Sequence, residues 1–144
     1  EFLSLVRQLI RIRGSLAHTQ RTSYPHGHDY NDNGWGDIEW LHPVHGRMQQ
    51  HHWLEEQAMT LLFTEVGEQA PAVAIMFNAD KVSRTFRLPS LTQNCRWNPV
   101  FCSSRVPAEQ LAVRSWSLTP RSLVCMLCNE DNNPAPTDSS AVEE

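Results

Sequence analysis

Apolar residues open the chain at helical spacing. Phe2, Leu5, Val6, Leu9 and Ile10 recur on one side, with Arg7, Gln8 and Arg11 opposite, which predicts an amphipathic helix over residues 2–13. Gly14 follows its last turn, and Arg11 and Arg13 stand where a helix C-terminus favours positive charge. From Ala58 onward the period changes to two. Met59, Leu61 and Phe63 alternate with Thr60, Leu62 and Thr64, and Ala72 to Phe77 forms a near-continuous apolar run. Val66 to Pro71 connects these two runs. Asn78-Ala79-Asp80-Lys81 then turns the chain into Val82 to Leu88, where Phe86 and Leu88 share a face opposite Thr85 and Arg87. Trp97 to Phe101 carries Pro99 and is therefore expected at a sheet edge or a bulge. Leu111 to Trp116 and Leu123 to Cys128 supply further strands. Short strands at close spacing with no helical pattern between them predict an antiparallel β-sandwich.

Between the helix and the sandwich the chain is polar and turn-rich, and its centre of gravity is Gly34 to Trp53. Asn33-Gly34 and Gly36 can take positive φ at low cost and lead into a short strand, Ile38 to Leu41. Pro43 stops that strand, and a loop runs through Val44-His45-Gly46 to Trp53. Trp40 and Trp53 are expected to be buried rings that pin this loop at its two ends. The predicted organisation is therefore a terminal helix over 1–17, a linker with one short strand over 18–55, a β-sandwich over 56–128, and a disordered acidic tail over 129–144.

The run Gly36-Asp37-Ile38-Glu39-Trp40-Leu41-His42-Pro43, followed by Gly46-Arg47-Met48 and then Trp53, resembles the signature that follows the catalytic barrel in bacterial isoamylase-type glycogen debranching enzymes of the α-amylase superfamily. The helix Phe2 to Arg13, the stretch Ala74 to Pro89 and the strand Ser122 to Cys128 resemble the same family in the same order, so the likeness spans roughly residues 2–128. Val44-His45 stands where the family carries an acidic residue before the turn glycine, and Gln49-Gln50-His51-His52 replaces an acidic approach to the tryptophan. The resemblance implies that the first helix is the last outer helix of a (β/α) barrel whose strands would cover its apolar face. The bland alternative is a helix lying on the sandwich itself. Glu1-Phe2-Leu3 begins inside a helical pattern without an initiator methionine, and further chain is expected upstream.

Composition narrows the partners. Hydrophobic content of 40% and charged content of 19% fit an ordinary globular chain, and no apolar run is long enough to span a bilayer. The formal charge of −4 lies in the tail, residues 1–128 carrying about +1. The basic residues are arginines apart from Lys81 and are scattered, so neither nucleic acid nor a membrane is an expected partner. With no secretory signal read in the sequence, the expectation is a bacterial cytoplasmic protein whose Cys95, Cys102, Cys125 and Cys128 are free thiols serving as small core residues. Period two puts Cys125 and Cys128 on opposite strand faces, which a zinc knuckle cannot use.

Candidate chemistry is sparse. Asp29 to Gly34 matches the opening of an EF-hand loop, but Trp40 stands where that loop needs glutamate, and an Asx-rich turn is the simpler reading. His18, His26, His28, His42, His45, His51 and His52 raise metal binding without a thiolate or helical frame to support it, so no metal and no cofactor is expected. Glycoside hydrolysis needs two carboxyls flanking the scissile bond. Asp29, Asp32, Asp37 and Glu39 sit in turn-like settings, and the resemblance puts the family's catalytic residues upstream of residue 1, so no catalytic residue is assigned. The chain alone is thus not expected to be an enzyme. The resemblance implies a parent glycoside hydrolase that cleaves α-1,6-glucosidic branch linkages in glycogen or limit dextrin, with this domain supporting its barrel. The alternative is a glucan-binding module, for which Trp35, between two glycines, is the candidate ring, with glycogen or maltodextrin as partner. An uncovered helical stripe would also allow self-association.

Overall fold

The computed structural model describes residues 1–16, 23–64 and 71–130. His18, most of the Val66–Pro71 connection and nearly all of the tail expected to be disordered lie outside the described residues. The elements in order are α1 (Phe2–Ser15), β1 (Ile38–His42), β2 (Gly46–Arg47), α2 (His52–Glu55), β3 (Ala58–Phe63), β4 (Val73–Asn78), β5 (Arg84–Arg87), β6 (Cys95–Cys102), β7 (Glu109–Ala112), β8 (Ser115–Leu118) and β9 (Ser122–Glu130). Every strand pairing is antiparallel. One sheet has six strands in the order β2-β1-β3-β4-β9-β6 and the other three in the order β5-β8-β7. The fold is mainly β, an antiparallel sandwich preceded by a helix, as its period-two patterning predicts.

The layers meet over a core of Leu41, Leu62, Met76, Val124, Met126 and Trp97 from the larger sheet and Phe86, Leu88, Trp116 and Leu118 from the smaller. Phe86 and Leu88 are fully buried while Thr85 and Arg87 are exposed, the alternation expected of a strand with one wet face. Pro99 sits where it does least harm: β6 is an edge strand, and its register against β9 shifts between Pro99 and Phe101. Asn78 crosses between the layers. Its side-chain amide donates to the carbonyls of Val82, Leu118 and Thr119 at 3.0, 3.2 and 3.0 Å, and its Oδ1 accepts from the Asp80 N–H at 3.1 Å.

Several expectations are corrected. β1 does not merely lead up to the sandwich; it pairs with β3 over four residue pairs and so belongs to the six-stranded sheet. Leu111 to Trp116 is not one strand, because the chain reverses at Val113-Arg114 into the β7–β8 hairpin. β9 runs through Glu130, so Asn129 and Glu130 belong to the sheet and not to the tail. Gly14 does not end α1, which continues to Ser15 and stops where Leu16 turns extended at φ −88° and ψ 116°. The cysteines are not all free: Cys95 and Cys128 form a disulfide across β6 and β9 with their Cα atoms 5.5 Å apart, and only Cys102 and Cys125 remain thiols. The partner of Cys128 lies diagonally across a strand boundary, since Cys128 itself registers with Trp97.

The outer face of the large sheet is apolar as well. Val73, Cys125 and Phe101 form a second buried cluster there, edged by Phe63, Ile75, Leu123 and Leu127, and Leu5 and Ile12 of α1, with Leu16 just past its end, pack against it. The helix thus lies on the sandwich by one side. Phe2, Leu9 and Ile10 remain 78%, 39% and 65% exposed, so the apolar stripe of α1 is only partly covered within the described residues.

Candidate functional site

The site grows from β1 and what flanks it. Asp37 is buried, and its carboxylate accepts the backbone N–H groups of His26 and Gly27, the latter at 2.7 Å, while the Asp37 N–H donates to the His28 carbonyl at 2.9 Å. The preceding residue must be glycine for a reason of space and not of φ. A Cβ on Gly36 would lie 2.6 Å from the Gly27 carbonyl oxygen, and Gly36 carries no positive φ, unlike Gly27, Gly34 and Gly46. Asp29 organises the turn before it: its carboxylate accepts the N–H groups of Asn31, Asn33 and Gly34. Desolvation pushes this carboxyl up, but those backbone donors and that of Asp32 more than offset it and hold it below 3.8. The hexapeptide that resembles a calcium loop is thereby accounted for as an Asx-rich turn. Glu39 is taken up by Arg47, whose guanidinium reaches both carboxylate oxygens at 2.9–3.1 Å.

The tryptophans are placed otherwise than their sequence neighbours imply. Trp35 is half-buried. It packs against the main core, the Arg47 guanidinium lies 4.8 Å from its ring centre, and the adjoining Gly36 carbonyl is drawn into the sandwich by the Thr64 hydroxyl at 3.0 Å. Trp40 and Trp53, expected to be buried, are 40% and 52% exposed. They meet edge to face with ring centres 5.8 Å apart. The cause is strand parity. Leu41 points into the core, so Trp40 points to the outer face beside Leu61, and Trp53 rides on the single turn of α2, which buries nothing. The loop is pinned instead by hydrogen bonds, including that from the Met48 N–H to the Trp40 carbonyl at 2.8 Å.

The histidines of this loop converge. The rings of His45 and His52 stand 4.6 and 4.5 Å from that of His42, and His51 stands 4.1 Å from His52. Nδ1 of His42 accepts the N–H groups of Val44 and His45 at 3.1 and 3.2 Å, which leaves its proton on Nε2, 2.9 Å from Glu56. Glu56 in turn pairs with Arg84 at 2.7 Å, and Arg84 with Asp80 at 3.0 Å. Nδ1 of His52 is occupied by the Gln49 N–H at 3.0 Å. With ring nitrogens committed in this way, no group of three or more His, Cys, Asp or Glu among the described residues is disposed to hold a metal ion.

This arrangement makes stability pH-dependent. Burial holds His42 below its ordinary 6.5, with Glu56 pulling the other way and His52 and His45 reinforcing the depression. Below pH 6.5 the unfolded chain therefore binds a proton that the folded chain resists, and stability falls with pH by at most about 1.4 kcal/mol per unit. Glu56 adds a second loss below 4.5. Desolvation pushes it up, but Arg84, the Gln57 N–H and His42 more than offset that and hold it low. Urea unfolding from pH 7.5 to 5.5 is expected to show the first slope, and His42→Asn, which keeps an acceptor near Nδ1 and does not titrate, is expected to flatten it. An unchanged slope in that variant would remove His42 as the cause.

No protein-family model matches the chain, and no curated protein matches it. No helix among the described residues is long and apolar enough to cross a membrane.

Proposed function

We propose that this chain is a non-catalytic β-sandwich domain of the kind that follows the barrel in bacterial isoamylase-type glycogen debranching enzymes, and that it supports the catalytic barrel of a parent hydrolysing α-1,6-glucosidic branch linkages. The observation that carries this reading is the partly covered apolar stripe of α1. A helix seated on one sheet through Leu5 and Ile12 that still presents Phe2, Leu9 and Ile10 is built to lie between two bodies. The carboxyls of Asp29, Asp37 and Glu39 are committed to structural hydrogen bonds, which suits a supporting role.

In the absence of the barrel, that face is expected to bury itself against other copies of the chain. Sedimentation equilibrium over a concentration series is expected to show reversible self-association, abolished by Leu9→Glu with Ile10→Glu. A monomer at every concentration would sink the two-body account of α1. A second reading, a glucan-binding module, is favoured by the exposed pair Trp40–Trp53 and not by Trp35. A bacterial cytoplasmic location goes with the debranching reading; the Cys95–Cys128 disulfide runs against it, because a reducing cytoplasm keeps such pairs as thiols.

A further inference from the structure

We propose that the cleft at the shared end of β4, β9 and β6 binds a small monocarboxylate with an apolar body. The cleft has a volume of about 390 Å³ and is walled by Phe77 and Ala79 on the β4 side, Leu123 of β9, Ser103 just past β6, and Arg121 of the β8–β9 turn. That volume suits a small organic ligand. Phe77 and Leu123 are partners in the β4–β9 ladder, so their side chains stand together on the outer face of the large sheet and form an apolar wall. No residue of α1 lines the cleft, so the proposal does not depend on what covers the helix.

The rim of the cleft selects the ligand's charge. Arg121 sits at φ 52°, a left-handed conformation that few residues other than glycine adopt. A turn would ordinarily place glycine or asparagine there. Its guanidinium gains no ion pair in return, since no carboxylate among the described residues is paired with it. Nearby, Asp80 and Glu56 share Arg84, and Lys81 offsets the charge that remains, so Arg121 is the uncompensated cation. Opposite the apolar wall, Ser103 is held at two points: its Oγ accepts the Leu123 N–H at 2.8 Å and its own N–H donates to the Leu123 carbonyl at 2.9 Å. The hydroxyl oxygen is thereby fixed while its hydrogen stays free to donate. A guanidinium fork and one hydroxyl match the two oxygens of a carboxylate. A phosphate dianion carries more charge than one cation answers, and an inorganic anion leaves Phe77, Ala79 and Leu123 without a partner. The main chain decides between a free acid and a peptide end. The N–H groups of Ala79, Ser103, Leu123 and Arg121 are all committed, to Gln57, Leu123, Ser103 and Asp80 respectively. A peptide backbone would find no donor among them, and a free acid needs none.

The test is a titration of the whole chain with hexanoate, followed through amide chemical shifts, with hexanamide, acetate and N-acetyl-leucine peptide acids as comparisons. Saturable shifts are expected at millimolar hexanoate and should centre on Ser103, Arg121 and Leu123. Hexanamide lacks the charge and acetate lacks the apolar body, so each should bind about ten-fold more weakly or less. Arg121→Gly is the decisive variant, because glycine takes the positive φ without cost. Its urea midpoint should be no lower than that of the parent chain, while its affinity for hexanoate falls by about ten-fold or more. Arg121→Lys keeps the charge without the fork and should lie between the two. Hexanamide or acetate binding as tightly as hexanoate overturns the proposal, as does undiminished affinity in folded Arg121→Gly. Shifts centred on α1 and lost in Leu9→Glu with Ile10→Glu also overturn it, because the ligand would then be coating the helix. A peptide acid that binds more tightly than hexanoate overturns the assignment to a free acid.

Discussion

Replacing Asn78 by leucine is expected to lower the stability of the chain by about 3–4 kcal/mol, although the side chains are similar in size. Asn78 is 2% exposed, and its amide is the donor for three carbonyls that belong to the turn after β4 and to the end of β8. Leucine would strip those oxygens of their partner without readmitting water, which is the costly way to lose a hydrogen bond. Asn78→Asp should be no better near neutral pH. It keeps the shape but aims a carboxylate at carbonyl oxygens, so its acid is favoured in the folded state and its folded pKa is raised. Acidification should therefore recover part of its stability relative to the parent chain, the opposite sign to the trend set by His42. The measurement is urea unfolding of the three proteins. For a domain of this size the loss in Asn78→Leu corresponds to a fall in midpoint of roughly 1–3 M. A midpoint shift equivalent to less than about 1 kcal/mol would show that water or a rearranged turn satisfies those carbonyls.

That residue also marks the limit of what the sequence makes legible. Asn78-Ala79-Asp80-Lys81 reads correctly as a turn, because asparagine and aspartate favour turns for local reasons. That the amide reaches 40 residues on to Leu118 is a fact of how two sheets are stacked, and no local pattern encodes it. The strands were legible where one face is wet, as in β5, where Phe86 and Leu88 oppose Thr85 and Arg87. Pro99 likewise announces an edge, because a residue without an N–H has few other places in a sheet. The large sheet is different. Leu62, Met76 and Met126 face the main core while Phe63, Ile75 and Leu127 face the outer cluster on which α1 packs, so both parities are apolar and periodicity cannot tell inside from outside. Trp40 was expected to be buried for that reason, since its apolar neighbours look alike on either side.

The β7–β8 reversal at Val113-Arg114 was hidden because neither residue is a turn former and the alternation runs on across it. The Cys95–Cys128 pairing was hidden because it depends on the register of β6 against β9. Among the candidate site residues, the histidines were visible as residues but not as a group. Their convergence follows from the β1–β2 hairpin and the single turn of α2, and neither the two-residue strand Gly46–Arg47 nor the four-residue helix His52–Glu55 is long enough to show a period.

Asp37→Ala is expected to cost about 3 kcal/mol, and the cost should appear in the segment before β1 as well as in the global midpoint. The carboxylate is 1% exposed and accepts two consecutive backbone N–H groups, those of His26 and Gly27. Hydrogen bonds to a charged acceptor are worth about 1.5–3 kcal/mol each, and their loss leaves both donors facing a cavity. Gly36→Ala attacks the same crossing from the other side. Its Cβ would lie 2.6 and 2.8 Å from the carbonyl oxygen and carbon of Gly27, a backbone group that cannot rotate away, and the strain is expected to cost about 1–3 kcal/mol. Both changes expel residues 26–28 from their seat on β1, so the effects should not add. Once Asp37 no longer holds the Gly27 N–H, the added methyl group at position 36 meets a segment free to retreat. The double variant should be less destabilised than the sum of the single variants by about 1 kcal/mol or more. Hydrogen exchange supplies the local readout: the Gly27 amide should lose protection in each single variant, while amides in β3 and β4 follow global stability alone. Strict additivity would mean that carboxylate and glycine act on different contacts, and that the run Gly36-Asp37 is not the latch between this segment and the strand that carries Trp40.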